Sequence, residues 1–358
     1  MLEKAKIKAI YTQLDQLYES SVKEELKKNK KFVVFSDLHM GDGSARDDFR
    51  QNAQLFRSAL EEYYFPNSFS LILNGDIEEL QRFSLRAIHK RWKEIYDVFD
   101  RFHEKGMLFK LIGNHDITLP FESEHDIKYP VLHSLTLQSK AGEMLIFHGH
   151  QASILYKNLN KLLGYTLKYL ANPLRIKNYT VSHSSRKQYK IEQRVYHYSS
   201  FRKRVSIIGH THRPLFESLS KAERLKYKVE ELCRIYMLTE NDSVKKPIKK
   251  QIKSHKKELR KLVAKDKKVL FESQIYNSVL HIPCLFNSGC VIGKRGMTCL
   301  EIDKNEIALV HWFDKKTSKK YLDKHGYNPH QIENTDYFRM VLNREQLRYV
   351  FSRINLLA

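Results

Sequence analysis

Cysteine, glycine, proline and long apolar runs are all scarce in this sequence. Only four of its 358 residues are cysteines, and no two form a C-x-x-C pair, which argues against a zinc knuckle or a disulfide framework. With 13 glycines and 8 prolines, a collagen-like or low-complexity chain is excluded. No run of about 18 apolar residues occurs and the N-terminus has no apolar leader core, so we expect neither a membrane span nor a secretory signal. The sequence therefore predicts a cytoplasmic protein with reduced thiols.

Acidic residues are outnumbered by basic ones. The chain has 63 Lys and Arg against 41 Asp and Glu, a formal net charge of +22. Twelve basic residues and only two acidic ones fall within 243–270. Such a surface attracts polyanions and anionic lipids. Nucleic acid and an anionic membrane surface are thus candidate partners of 243–270. If the partner is a membrane, we expect a cytoplasmic protein that is attached peripherally to the membrane surface. A plain solvated helix surface is the other interpretation.

Short apolar runs alternate with amphipathic stretches along the first half of the chain. Residues 1–30 place apolar side chains at helical spacing, which predicts an amphipathic helix laid on the main domain. Helices are also predicted over 48–64 and 84–105. Compact β-branched or aromatic runs predict buried strands at 31–36, 69–74, 107–112, 144–149 and 204–209. This alternation predicts a layered α/β domain over 31–358.

Two segments interrupt that alternation. Residues 151–203 are rich in Leu, Tyr and Lys and predict a helical cap, either a substrate lid or an ordinary packed helical pair. Residues 217–270 predict a basic helical hairpin. After them the sequence predicts strands near 284–288, 297–302 and 306–312, followed by a terminal helix.

Five short polar motifs stand at or just beyond the ends of predicted strands. They are Asp37-Leu38-His39, Gly75-Asp76, Gly113-Asn114-His115-Asp116, His148-Gly149-His150 and Gly209-His210-Thr211-His212. Ligands bind at the carboxyl ends of strands in open α/β sheets, so we expect these motifs to meet there. Each motif alone is a weak signal. Together the motifs are more specific. Two of their aspartates, the asparagine and four of their histidines would make two sites of mixed nitrogen and oxygen ligation, suited to Mn, Fe, Zn or Co.

This ordered set of motifs resembles the calcineurin-like metallophosphoesterase superfamily, over about residues 31–313 apart from the two insertions. The resemblance implies a four-layer αββα sandwich around a centre of two divalent metal ions, with Mn as the first candidate. The implied ligands are Asp37, His39 and His212 for one ion, Asn114, His148 and His210 for the other, and Asp76 as a bridge. His115 would contact the phosphate or protonate the leaving group. Asn114 and Arg213 are further candidates for contact with the substrate.

Elementary chemistry supports these roles. Two cations roughly 3.5–4 Å apart clamp a phosphoryl oxygen and lower the pKa of a shared water, and the resulting hydroxide can attack phosphorus in line. The Asp76 carboxylate, as a bridge, would offset the repulsion between the cations. An unligated histidine such as His115 suits proton donation, since its reference pKa is near 6.5. Asp116 could orient His115 or serve only as a turn residue.

Departures from the family's sequence patterns indicate which branch of the superfamily this chain resembles. Protein Ser/Thr phosphatases carry G-D-x-x-D-R-G, whereas residues 75–80 read GDIEEL and lack the arginine, which disfavours that branch. The stretches 36–49 and 209–214, with the later Asn-Ser-Gly at 287–289, resemble bacterial enzymes similar to UDP-2,3-diacylglucosamine pyrophosphohydrolase. Those enzymes insert a helical cap where this chain has 151–203. Two features differ: that enzyme typically has Arg where His115 stands, and the hairpin is extra.

The sequence thus predicts a phosphohydrolase that cleaves a phosphodiester, pyrophosphate or phosphomonoester bond with a metal-activated hydroxide. Two alternatives stay open. One is a nuclease acting on nucleic acid held by the basic surface. The other is a non-catalytic module that binds nucleic acid or a membrane surface; loss of metal ligands would mark it, and none is lost. The sequence leaves the substrate and the oligomeric state open.

Overall fold

The computed structural model describes residues 2–27, 29–122, 128–153, 185–265, 281–322 and 327–358. The strands are β1 (Val22–Glu25), β2 (Lys31–Phe35), β3 (Phe69–Asn74), β4 (Leu108–Leu111), β5 (Val131–Leu132), β6 (Leu135–Gln138), β7 (Glu143–Ile146), β8 (Val205–Ile208), β9 (Leu285–Asn287), β10 (Met297–Asp303), β11 (Glu306–Asp314), β12 (His330–Gln331) and β13 (Tyr337–Gln346). The α-helices are α1 (Leu2–Glu19), α2 (Ala53–Ser58), α3 (Leu85–Arg91), α4 (Lys93–Glu104), α5 (Ser185–Arg202), α6 (Lys221–Leu238), α7 (Asp242–Lys265), α8 (Lys315–Ser318) and α9 (Leu347–Leu357).

The strands form two sheets. The larger sheet has the order β12-β13-β11-β10-β2-β3-β4-β5 and the smaller one the order β1-β6-β7-β8-β9. Strands β2 to β5 run parallel to one another, as do β7, β8 and β9. The five strands predicted between residues 31 and 209 are all present, and β3 has the predicted limits. The ten-residue strand β13, which pairs with β11, was missed.

Strand β2 shows how the layers are built. Its Phe32 and Val34 belong to the core shared with the smaller sheet, whereas Val33 and Phe35 pack with residues of α2 and α4. This division follows from the alternation of side chains along a strand. Apolar residues of α1 and α5 belong to the same core as residues of the smaller sheet. The predicted four-layer αββα sandwich is confirmed.

The N-terminal helix is shorter than the predicted 1–30. Helix α1 ends at Glu19 and buries Ile10 and Leu14 in the core. The chain then forms strand β1, which pairs in parallel with β6, so that Val22 lies opposite Leu135. The edge of β6 offers hydrogen-bond partners to this segment, and the prediction from helical spacing could not include them.

The predicted insertions have different outcomes. Most of the cap, 154–184, lies outside the described residues; its end forms α5, which packs against the smaller sheet. The predicted hairpin is present as α6 and α7. They run antiparallel, because Lys221 at the start of α6 pairs with Glu258 near the end of α7 at 2.6 Å. None of the helices in the described ranges is long and apolar enough to cross a membrane.

Candidate metal centre

Every predicted metal ligand lies two to four residues beyond the carboxyl end of a strand. Asp37 and His39 follow β2, Asp76 follows β3, Asn114 follows β4, His148 follows β7, and His210 and His212 follow β8. Hydrogen bonds join the first two loops: the N–H of Asp37 donates to the Gly75 carbonyl at 3.1 Å, and that of His39 to the Asp76 carbonyl at 2.9 Å. The backbone N–H of His210, after β8 of the smaller sheet, donates to the Asp37 carboxylate at 2.9 Å, so the two sheets bring their polar ends to one place.

The backbone at this centre is strained. Five of the predicted ligands are non-glycine residues in the left-handed region: Asp37, His39, Asp76, His210 and His212, with φ between 49° and 63°. Such conformations cost on the order of 1–3 kcal/mol each and persist only where the surroundings hold them. Strain of this kind clusters at functional sites.

Two glycines permit the close approach of these loops. A Cβ on Gly113 would lie 2.1 Å from Asp76 Oδ1 and 2.2 Å from the Asp76 backbone nitrogen. A Cβ on Gly75, whose φ is +78°, would lie 2.6 Å from His148 Nδ1. No side chain fits at either position without displacing a predicted ligand.

Asp37, His39 and His212 form the first ligand group. The Nε2 atom of His212 lies 3.0 Å from Asp37 Oδ1 and 3.1 Å from His39 Nε2. Ligands at about 2.1 Å from one cation lie roughly 3 Å or slightly more apart, so these spacings suit a shared ion. The three residues are those predicted together from the sequence.

Asp76, His148 and His210 form the second group. One carboxylate oxygen of Asp76, Oδ1, accepts the backbone N–H of His115 at 2.8 Å. The other, Oδ2, lies 3.1 Å from His148 Nε2 and 3.9 Å from His39 Nε2, so it faces both groups. Oδ1 of Asn114 is buried without a hydrogen-bond partner in the described part of the chain. A buried acceptor of this kind suits a cation.

Sequence reasoning missed Glu79. Its two carboxylate oxygens lie 3.0 Å from His39 Nδ1 and 2.9 Å from His115 Nδ1. When each Nδ1–H donates to Glu79, the Nε2 atom of each ring stays available to bind a metal ion or to transfer a proton. The signal was an acidic residue three positions after Asp76, but nothing in the sequence distinguished it from Glu78. Glu78 instead pairs with buried Lys110.

Charge distribution follows from burial and these contacts. Burial alone would lower the pKa of His115, but the carboxylates of Asp76 and Glu79 raise it to about 9. Burial would likewise lower the pKa of His148, but Asp76 and Asp37 raise it to about 10. The Nδ1–H of His148 donates to the Asn74 carbonyl at 2.8 Å, which directs Nε2 toward Asp76. Burial, with the charge of His148, lowers the pKa of His210 to about 3.

Asp116 and Arg213 have partners in the structure other than those that the sequence suggested. Asp116 does not orient His115: its carboxylate accepts the backbone N–H groups of Ile77 and Gly113 and so holds the loops together. Burial, together with Asp76, raises the pKa of Asp116 to about 7. The guanidinium of Arg213 pairs with buried Glu192 of α5. Its predicted contact with substrate stays a prediction.

Comparison with known proteins identifies one family. The calcineurin-like phosphoesterase family matches residues 30–214, just over half of the chain. Among solved structures, the chain is similar to a conserved uncharacterized protein from Streptococcus pneumoniae TIGR4, a predicted phosphoesterase. That similarity is 11% identity over 81% of this chain and 91% of that chain, with a TM-score of 0.30, too low to support any argument. Among curated proteins, none matches significantly.

Proposed function

This chain belongs to the calcineurin-like phosphoesterase family and is a metal-dependent phosphoesterase, and we propose that it cleaves a phosphodiester or pyrophosphate bond at a centre of two divalent ions. Asp37, His39 and His212 would hold one ion, with Mn as the first candidate. Asn114, His148 and His210 would hold the other, and Asp76 would serve both. Such a pair of ions polarises the phosphoryl group and activates water.

His115 is the residue that supports cleavage of an ester with a poor leaving group. Its Nδ1 lies 2.9 Å from Glu79, and its ring packs edge-on against His39 with centroids 4.6 Å apart. Nε2 of His115 is therefore the nitrogen that can deliver a proton to a departing oxygen beside the ions. An alkoxide that leaves a phosphodiester is a strong base, so its departure depends strongly on receiving that proton. The resemblance to pyrophosphohydrolases supports the anhydride as the other substrate class.

A substrate panel tests the bond type. The protein would be stripped with chelator, restored with Mn²⁺ and assayed on bis-p-nitrophenyl phosphate, p-nitrophenyl phosphate, a nucleoside diphosphate sugar and a polynucleotide. Cleavage of the diester or the anhydride is expected. Cleavage of the monoester alone would overturn the proposed bond type, and rapid cleavage of a polynucleotide would make the enzyme a nuclease.

A variant at position 115 tests the proton donor. His115→Asn should lower kcat by about 10²–10⁴-fold on an alkyl ester, the usual contribution of general acid catalysis. It should lower kcat much less on a p-nitrophenyl ester, because p-nitrophenolate leaves without a proton. The control is His103→Asn, on the exposed side of α4. An equal loss on both esters would show that His115 is not the proton donor.

We further propose a cytoplasmic location. All four cysteines are free thiols, with Cys284 and Cys299 buried and Cys233 exposed. Burial raises the pKa of Cys284 to about 12, so it is unreactive. Free thiols without a disulfide suit a reducing compartment.

A further inference from the structure

Helix α7 carries a row of basic side chains along its exposed face. This basic stripe consists of Lys246, Lys249, Lys250, Lys253, Lys256, Lys257, Arg260 and Lys261, all exposed. Spacings of three and four residues place them on one side of the helix, over about 22 Å at 1.5 Å per residue. The inward side bears buried Ile248 and His255. Among described residues, none of the stripe forms an ion pair with an acid. The helix has two acidic residues, Asp242 in its first turn and Glu258, and Glu258 pairs with Lys221.

The end of the same hairpin exposes apolar side chains. This apolar tip consists of Ile235, Met237, Leu238 and Val244, which are 43%, 73%, 75% and 49% exposed. Single exposed apolar residues are ordinary, but four within ten positions around one turn form a patch. By contrast, the start of α6 is anchored, with Ala222 and Leu225 buried. The hairpin is thus packed at its base and apolar at its free end.

An anionic bilayer satisfies both features. Amphipathic elements with basic residues beside exposed aliphatic ones bind at the membrane interface, through apolar burial and attraction to anionic lipids. Glu240 in the turn and Asp242 at the start of α7 oppose that attraction, but the eight cations of the stripe outnumber them. Nucleic acid would satisfy the basic stripe alone, and aliphatic side chains offer bases no stacking platform. A second copy of the chain would bring two basic stripes together, which is repulsive.

We propose that the hairpin α6–α7 attaches this protein to an anionic membrane surface, with the apolar tip in the headgroup region and the basic stripe against the headgroups. The attachment is independent of the metal centre and of the bond that the enzyme cleaves.

Vesicle binding of the full chain tests the proposal. The protein would be sedimented with vesicles of pure phosphatidylcholine or of phosphatidylcholine mixed with phosphatidylglycerol. Binding is expected only to the mixed vesicles and should weaken as salt rises, because the charges are exposed. No binding above that to pure phosphatidylcholine would overturn the proposal.

Two variants separate the contributions. In the stripe variant, Lys249, Lys250, Lys253 and Lys256 become Gln. Each lysine near an anionic surface contributes about 1 kcal/mol, so each loss should weaken binding about fivefold. In the tip variant, Met237 and Leu238 become Ser, which should weaken binding at least tenfold through lost apolar burial. Both variants should keep the wild-type circular dichroism spectrum and melting temperature, because all the changed residues are exposed.

A matched control carries four Lys→Gln changes elsewhere, at the exposed positions Lys8, Lys90, Lys105 and Lys140. It has the same net charge as the stripe variant and should bind mixed vesicles nearly as well as wild type. Equal weakening in both would overturn the proposal, because net charge alone would then explain binding. Fluorescence anisotropy with a labelled DNA duplex completes the test. Duplex binding that is tighter than vesicle binding and unchanged in the tip variant would assign the stripe to nucleic acid instead.

Discussion

Glu79 shows how a single carboxylate organises the residues around it. It is almost fully buried, and its two oxygens reach the imidazoles of His39 and His115. Burial alone would raise its pKa, but the hydrogen bonds from His115 and His39 lower it to about 2. The carboxylate is therefore charged across the neutral range, and it orients a proposed metal ligand and the proposed proton donor together.

Replacing Glu79 with Gln should lower both Mn²⁺ affinity and kcat/KM by about 10–100-fold, the usual effect of removing a group that orients a metal-bound histidine. One of the two imidazole N–H groups would lose its acceptor, because an amide has a single oxygen. Calorimetric titration with Mn²⁺ and steady-state kinetics measure the two effects. Glu104→Gln, at the exposed end of α4, is the control. Wild-type affinity in Glu79→Gln would show that Glu79 has no part in orienting His39.

At the scale of elements, the loops that follow the strands decide whether the centre can form. The backbone N–H of His115 donates to Asp76, and the carboxylate of Asp116 accepts from Ile77 and Gly113. These bonds tie the loop after β4 to the loop after β3. The approach is so close that position 113 has no room for a side chain.

A pair of glycine substitutions isolates that close approach. In Gly113→Ala the new Cβ would meet Asp76, so Mn²⁺ binding and activity should both be lost. In Gly106→Ala the Cβ meets nothing within 4 Å, although φ is +65°. The cost there should be only the left-handed strain of about 1–2 kcal/mol, with activity retained. Metal content and melting temperature measure both. An active Gly113→Ala protein would mean that the loops can separate without loss of the centre.

Secondary structure was predictable where the pattern was local. Strand β3, all apolar except Ser70 and Asn74 and bounded by turn residues, was predicted with its correct limits. Strand β1, with the sequence VKEE, has no such pattern and is a strand because β6 pairs with it. Strand β13 has no regular alternation, because Met340, Val341 and Leu342 are consecutive apolar residues. It forms a strand by pairing with β11, with a bulge between Leu309 and Val310.

At the scale of the whole molecule, the candidate metal centre lies at the seam where the two sheets meet. Nδ2 of Asn74, in the larger sheet, donates to the Phe147 carbonyl at 3.1 Å. The hydroxyls of Ser36 and Ser288 lie 2.7 Å apart across the same seam. The backbone N–H of His210 donates to the carboxylate of Asp37. Ions held by ligands from both sheets should therefore stabilise the entire fold.

Metal removal tests this link between binding and stability. Mn²⁺ at about 100 times its Kd should stabilise the chelator-treated protein by about 2.7 kcal/mol. At an unfolding entropy of about 2.1 cal/mol/K per residue, that corresponds to a rise in melting temperature of about 3–4 °C. At one fixed Mn²⁺ concentration, the rise should be larger at about pH 8 than at about pH 6, because a histidine must lose its proton to bind the ion. Differential scanning calorimetry measures it. Asp76→Asn should abolish the rise, and an unchanged rise in that variant would exclude Asp76 as a ligand.

The sequence by itself determined the order of the polar motifs, the α/β class and the family, and it also identified residues that the structure brings together at the centre, because each depends on residue type and short-range spacing. Tertiary structure alone decided that Glu79 holds His39 and His115, that Asp116 binds backbone, and that Arg213 faces Glu192. Each of those contacts joins residues whose separation in the chain follows no fixed period. The exposure of the apolar tip was also decided by the tertiary structure, because the sequence alone does not distinguish exposed aliphatic residues from those that pack in a core.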